Sequence, residues 1–576
     1  MNKFAGAMLK SLYNHYILWS FLIVVLYSLF DAAGYALSGT GLFYTDTDCY
    51  ARALRIIDWL NDFQWAEKIF PYSNVPDGFV LHFTRIADVI WVLLSLPFMA
   101  FEPLKEAIFH GGMLFSPLFL FLSLTCIFWG LRPYLPDFAK KQTIFALVFF
   151  ITIVFCCKLV NIFDFSRPDH HSVMFFILCY DIAVILRTAI YPQENHWYGA
   201  GFLTGLGLWI ASAVEGLIIV GIVLAILCIQ WVFGTFKSRC LMLFSLGLFS
   251  STLLSWLINP PYGGYGVTDI GRLSVVHVVL TVLIFISFAF VNYVDPQSKI
   301  SKISISAFCT LISILLMFLI FGGLLILAPV YNETIKEIYL PYIEEMRPTC
   351  PQYWRFYIIS WLSGLLIVGY FLRYGKSKSS VSLTIVPLLL LVFPLGMSVY
   401  RFYQYYLAVF VFGSGFLVFE LSYTWQHSKK AQILLFLYIV ANLFAVTGFR
   451  AEPKNHQFPA ISGNVATDMF DAPKFSFEHS VKTIASPYHT DIEGLIDNYI
   501  LFFSEDENEI KHILQKHQIE YIYLTKEETE YYQNPKDNTD KLYGKIITGR
   551  DLYPWLEYIP TNIEKGALYK IRYDLF

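Results

Sequence analysis

The sequence predicts an α-helical polytopic membrane protein of about thirteen transmembrane helices followed by a C-terminal α/β domain outside the bilayer. Three observations carry this. Of 576 residues, 56% are hydrophobic and only 15% charged, against about 25% charged in soluble domains. Apolar runs of span length recur through the first 450 positions, and a chain in lipid must close its backbone hydrogen bonds within helices. Charge gathers at the end: residues 451–576 hold 13 Lys/Arg and 21 Asp/Glu, net −8, and the first 450 hold 28 basic and 23 acidic groups, net +5. The apolar content excludes a disordered chain, and the lack of a basic stripe excludes nucleic acid as a partner.

The expected spans are 16–36, 113–131, 142–162, 172–190, 197–213, 216–236, 240–258, 274–293, 303–328, 355–373, 381–398, 403–424 and 431–448. The first is too long for a signal peptide and lacks a small-residue cleavage site, so it reads as a retained span. Residues 86–100 are apolar but short, and charge decides their status. If they do not cross, one set of loops collects Lys3, Lys10, Arg132, Lys140, Lys141, Arg187, Lys237, Arg239 and the later lysine pairs. The opposite short loops then hold only Arg167, Arg272, Lys336, Arg347 and Arg401. The positive-inside rule therefore places the N-terminus in the cytoplasm, and an odd span count places the tail outside. The expected division is a membrane domain, 1–450, with a first outer loop over 37–111, and an extracytoplasmic domain, 451–576. In a bacterial plasma membrane that tail is periplasmic.

Within the tail, 505–518 has helical periodicity and Ile519-Glu520-Tyr521-Ile522-Tyr523-Leu524 alternates as a strand does. Ser486-Pro487-Tyr488-His489 and Asp491 lie in a turn that could face the membrane site, with a solvated loop as the favoured reading. Most cysteines fall in or near spans as packing residues; Cys49 and Cys350, both outside, leave one disulfide open.

Residues able to do chemistry collect at the outer side. Asp46 and Asp48 open the first loop, where carboxylates two apart suit a hard divalent cation or a ligand–base division of labour. Arg52 and Arg55 follow at helical spacing to meet phosphate or the carboxylates; the competing reading is an N-cap of an amphipathic helix. The next outer turn carries Asp169-His170-His171, a carboxylate–imidazole set suited to Mn²⁺ or Zn²⁺. Glu215 is an ionisable residue at a span end, with Trp209 just before it. Arg272 and His277 open the eighth span and Arg401 the twelfth, where outer cations suit lipid-borne phosphate. His82 and Arg85 lie near the membrane in the first loop. Glu333 and Glu337 share one helical face of a later loop.

This constellation resembles the GT-C class of membrane glycosyltransferases, most closely the catalytic subunit of oligosaccharyltransferase and its bacterial homologues. The resemblance covers the whole layout, while the motif matches are short. It implies a polyprenyl-phosphate-linked sugar donor used at the outer surface. Asp48 matches the first-loop acid that binds metal or acceptor. Asp169, with His170 or His171, matches the second acidic motif, and Arg401 matches a late-span arginine at the donor phosphate. Glu333 or Glu337 stands near the family's loop glutamate. The tail lacks the family's Trp-Trp-Asp triplet; Pro554-Trp555-Leu556-Glu557 does not replace it. A lipid or surface-glycan acceptor is therefore favoured over an Asn-x-Ser/Thr peptide.

The expected activity is sugar transfer with Asp46 or Asp48 as base. Metal ligands are Asp48, Asp169, His170 and His171, for Mn²⁺, Mg²⁺ or Zn²⁺. Substrate contacts come from Arg52, His82, Arg85, Glu215, Arg272, His277 and Arg401. The rivals are a lipid-linked glycan transporter, which internal repeats would mark, and a surface-polysaccharide polymerase or ligase.

Overall fold

The structure, a computed structural model, describes residues 15–39, 41–66, 69–134, 162–211, 215–234, 236–322, 337–339, 343, 354–374, 379–424, 428–446, 455–525, 540–563 and 565–576. Its bundle is built from α1 (Tyr16–Ser38), α2 (Thr47–Asp62), α3 (Arg85–Met99), α4 (Leu104–Met113), α5 (Phe115–Leu131), α6 (His170–Ile190), α7 (Trp197–Ile210) and α8 (Glu215–Phe233). It continues with α9 (Ser238–Ile258), α10 (Val275–Val294), α11 (Lys299–Phe321), α12 (Trp354–Tyr374), α13 (Ser379–Ser398), α14 (Tyr403–Thr424) and α15 (Lys429–Val446). Among the described residues nine helices are long and apolar enough to cross a membrane, as expected of an integral membrane protein. The expected span at 142–162 lies outside the described residues apart from its last position.

Two expected elements differ. Helix begins at Leu104, so α4 and α5 run into one 31-residue apolar helix ending at Tyr134. The short α3 folds back on its first half, held by the Trp91 indole donating to the Ile108 carbonyl at 2.7 Å. At 15 residues α3 reaches about 22 Å, short of the hydrocarbon thickness. The expected span 197–213 is the 14-residue α7. It lies almost against α9: a Cβ on Gly201 would stand 1.8 Å from the Phe244 carbonyl oxygen, so only glycine lets the two backbones approach.

The tail contains a five-stranded sheet. Its strands are β3 (Asn464–Ala466), β4 (Lys482–Thr483), β5 (Tyr521–Thr525), β6 (Leu556–Ile559) and β7 (Gly566–Ile571), in the order β4-β3-β5-β7-β6. β3 is parallel to β4 and β5, while β7 is antiparallel to β5 and β6. Period-2 alternation separates the two faces of β5. Ile522 and Leu524 join the larger core, and Tyr523 joins Val465, Phe475 and Leu568 on the other side. Helices α16 (Ala472–His479), α17 (Ile492–Phe503), α18 (Glu507–Lys516) and α19 (Leu542–Thr548) cover the sheet. α18 and β5 fall where sequence periodicity puts them. The acidic Asp506 caps α18 by accepting from the Asn508 amide at 2.8 Å.

The tail is tied to the first loop. That loop forms a small hairpin, β1 (Ile69–Phe70) and β2 (Phe79–Val80), whose connection lies along the β4 edge. Thr483 N donates to Tyr72 O at 2.9 Å, and Asn74 N to Ile484 O at 2.9 Å. The sheet edge is thereby covered. Tyr488 and Phe477 of the tail complete the bundle's own core.

Candidate active site

The site begins in the turn before α6. Tyr27 of α1 donates to Asp164 at 3.1 Å, Thr45 N to Ser166 O at 3.2 Å, and Ser116 Oγ to Arg167 O. These bonds fix residues 164–169 against the start of the first loop. Asp169 occupies the N-cap position of α6 with extended dihedrals, yet its side chain makes no capping bond. Its oxygens point elsewhere: Oδ1 lies 2.6 Å from His170 Nδ1 and Oδ2 lies 3.4 Å from His171 Nε2. Asp169, His170 and His171 are all buried, with exposures of 3%, 5% and 3%.

Arg167 joins this group to the first loop, with Nη2 2.9 Å from Asp46 and 3.5 Å from Asp169. Asp46 also caps α2 by accepting from the Asp48 amide at 3.0 Å; the capping reading holds for Asp46. Asp48 lies within electrostatic reach of the buried Tyr488 of the tail. Between them Cys49 carries a free, buried thiol 3.6 Å from the Pro168 carbonyl. Burial, reinforced by Asp46 and Asp169, pushes that thiol up. Cys350, its suggested disulfide partner, lies outside the described residues.

The other half comes from α8 and α14. Glu215, the first residue of α8, accepts from Tyr405 at 3.0 Å and pairs with Arg401 Nε. Its Oε1 is 3.1 Å from His171 Nδ1. Arg401 Nη2 donates to His170 Nε2 at 3.1 Å. These contacts set the tautomers. The Glu215 carboxylate draws the His171 proton to Nδ1 and leaves the Nε2 lone pair facing Asp169. Arg401 takes the His170 Nε2 lone pair and places that ring's proton on Nδ1. His171 and Asp169 therefore present a ligand pair for a divalent metal, whereas His170 belongs to the Arg401 side.

The donor set fits such an ion: carboxylate and neutral imidazole, with one ligand atom each from Asp169, His170 and His171 within 4.8 Å of one another. Asp48 is not within that cluster.

Other expected contacts are used differently. Arg52, Arg55 and Arg85 converge on Asp88, at 3.9, 3.1 and 3.3 Å. The Arg52 guanidinium also lies 4.3 Å over Phe83, and Arg85 5.3 Å over Trp59. The guanidinium groups expected to meet phosphate here share one acid inside an apolar helix. His277 is buried and forms a reciprocal cap with Ser274, its Nδ1 accepting the Ser274 amide at 3.3 Å; that hydrogen bond holds the helix start. Trp209 donates to Asn259 at 3.1 Å. Arg272 pairs with Asp269 at 2.8 Å. Glu337 is exposed, and Glu333 lies outside the described residues.

The tail turn is not solvated. Tyr488 and Asp491 are 2% and 1% exposed, and the His489 ring lies 4.9 Å from that of His82. Burial lowers His82 well below the usual imidazole range, helped by His489, His170 and Arg401. Burial and then Arg401 push His489 down to about 4. Sequence reading also gave no role to Arg167, Gln404 or Tyr405. Arg167, an outer cation between two acids, was the one with a visible signal.

The helical membrane bundle, with acidic turns at the end where the α/β tail docks, has a GT-C-like fold. Among solved structures, the chain is similar to the Archaeoglobus fulgidus oligosaccharyltransferase. The crystal structure tethered with an acceptor peptide containing the NVT sequon matches with a TM-score of 0.61 and 15% identity, covering 97% of this chain and 74% of that one. The archaeal oligosaccharyltransferase AglB from the same organism, in complex with an inhibitory peptide and a dolichol-phosphate, matches at 0.59 and 14%, covering 89% and 70%. The form in complex with Zn and sulfate matches at 0.59 and 15%, covering 97% and 73%. No protein-family model and no curated relative matches the chain.

Proposed function

We propose that this protein is a membrane glycosyltransferase of the bacterial plasma membrane, moving a sugar or glycan from a polyprenyl-phosphate-linked donor to an acceptor at the periplasmic face. The observation that carries the reading is the continuous chain Asp46–Arg167–Asp169–His171–Glu215–Arg401, buried at its centre and partly exposed at Asp46, Arg167 and Arg401. It joins carboxylates from two separate turns to a guanidinium more than two hundred residues away in sequence. The likeness in fold to a protein solved with a dolichol-phosphate supports a lipid-linked donor.

In the transfer, the acceptor hydroxyl passes its proton to a carboxylate and its oxygen bonds the anomeric carbon. The bond from that carbon to the donor phosphate oxygen breaks, and the electron pair leaves with the phosphate. Asp48 is the better base of the two first-loop acids, because Asp46 already caps α2 and binds Arg167. Arg401 meets the charge growing on the phosphate. Its orientation is fixed beforehand by Glu215 and His170, so little reorganisation is needed at the moment of reaction. A divalent metal held by Asp169 and His171, with Asp48 nearby, would supply Lewis-acid stabilisation of the same charge.

The test is transfer in proteoliposomes from a panel of polyprenyl-phosphate and polyprenyl-diphosphate sugars. Turnover by the wild type and its loss in Asp48→Ala with the folded protein intact supports the reading. Full activity in that variant contradicts it.

A further inference from the structure

Beyond Arg401 the polar groups continue into a cavity of about 590 Å³ lined by four separate segments, three of which supply its polar groups. The first-loop hairpin supplies Phe79 and His82, the turn before α10 supplies Asp269 and Arg272, and the tail supplies His489 and Glu493. The volume falls within the range of about 300–1,000 Å³ found for small-molecule sites, and the mixture of rings with a few charged groups suits them too.

Arg272 is the unusual member. Asp269 Oδ2 accepts from its Nε at 2.8 Å, and Oδ1 accepts from the Gly271 amide at 2.7 Å. The loop therefore fixes the guanidinium through one edge. Its Nη1 is buried and has no hydrogen-bond partner, which is costly for a cation unless a ligand oxygen completes it. The cavity is also lined by the imidazoles of His82 and His489, 4.9 Å apart and tilted by 41°. His82 Nδ1 is likewise buried without a partner. His489 feels both Arg401 and Arg272, so it joins the two cationic centres.

We propose that this cavity binds a saccharide bearing an anionic oxygen group, read by Arg272 together with the His82–His489 pair. This rests on the glycosyltransferase reading and deepens it: Arg401 takes the reacting phosphate, and the cavity takes the next anionic group. That group is either the second phosphate of a diphosphate donor or the carboxylate of an acidic sugar. The tail thereby contributes a specificity-determining residue, His489, to a pocket whose other walls belong to the membrane part.

The experiment measures the affinity of detergent-solubilised full-length protein for farnesyl diphosphate, farnesyl monophosphate and methyl glucuronide. Wild type is compared with Arg272→Gln and His489→Gln, each shown to be folded by thermal melting, and with Arg272→Lys as a charge-retaining control. A loss of at least tenfold in Arg272→Gln for farnesyl diphosphate, with the monophosphate unchanged, identifies a second phosphate. The same loss for methyl glucuronide identifies an acidic sugar. Affinities for both within twofold of wild type in Arg272→Gln and His489→Gln overturn the proposal. The readout is binding, so a wild type that binds these probes yet transfers no sugar defeats the enzymatic reading alone.

Discussion

Glu215 and Arg401, 186 residues apart, form a partly buried ion pair in which one carboxylate also receives His171 and Tyr405. One acid therefore orients a candidate metal ligand and a candidate phosphate ligand together. Hydrogen-bonded carboxylates behind a ligating imidazole typically matter 10–100-fold in metal affinity. Glu215→Gln is expected to weaken Mn²⁺ or Zn²⁺ binding by about that factor, as read by isothermal titration, and to depress transfer further through misplacement of Arg401. Unchanged metal affinity would remove Glu215 from the metal's surroundings.

Asp88 supports the first loop differently. It is fully buried and faces three guanidinium groups. Removing one partner of a buried ionic group leaves charges uncompensated at about 3–5 kcal/mol. Asp88→Ala should lower thermal stability by an amount in that range, and a melting temperature equal to wild type would contradict the packing described.

His277 should behave as a helix cap. His277→Ala is expected to cost about 1 kcal/mol of stability while kcat and KM of transfer stay near wild type. A selective rise in KM for donor would instead make it a substrate contact, as the sequence suggested.

Asp491 fastens the tail to the first loop by accepting from Ser73 at 2.7 Å and from the Ser486 amide at 3.0 Å. Burial raises its carboxyl from the usual 3.8 to about 7, against hydrogen bonds that lower it. Between those values the folded state holds a proton that the unfolded chain has lost, so stability falls as pH rises. The contribution is complete below about 4 and gone above about 7. Asp491→Asn, neutral at every pH, should flatten this slope in melting curves between pH 5 and 8. An unaltered slope would mean the acid is ionised throughout.

Hydropathy was enough to read most of the bundle, because lipid admits helices and little else. It misplaced the beginning of the α4–α5 helix, whose first turn carries Lys105 and Glu106 and so reads as polar loop, and the length of α7, because the apolar run continues past Ile210 where the helix stops. The acid–imidazole run at 169–171 was legible because three ligand types in a row have few structural uses. The pairing of Arg52 and Arg85 with Asp88 was not legible, because that acid hides in an apolar stretch and meets them only after folding. His489 and Asp491 looked solvated for the same reason: their partners, His82 and Ser73, lie more than four hundred residues earlier.

The central claim is a metal-dependent glycosyl transfer organised by Asp169 and His171. Its most direct test is transfer from a polyprenyl-phosphate sugar by purified protein before and after chelation, with Mn²⁺ restored, alongside Asp169→Asn. The account predicts activity abolished by chelation, recovered with Mn²⁺ in the wild type, and not recovered in the variant. Transfer that persists in chelator, or in Asp169→Asn, would contradict it.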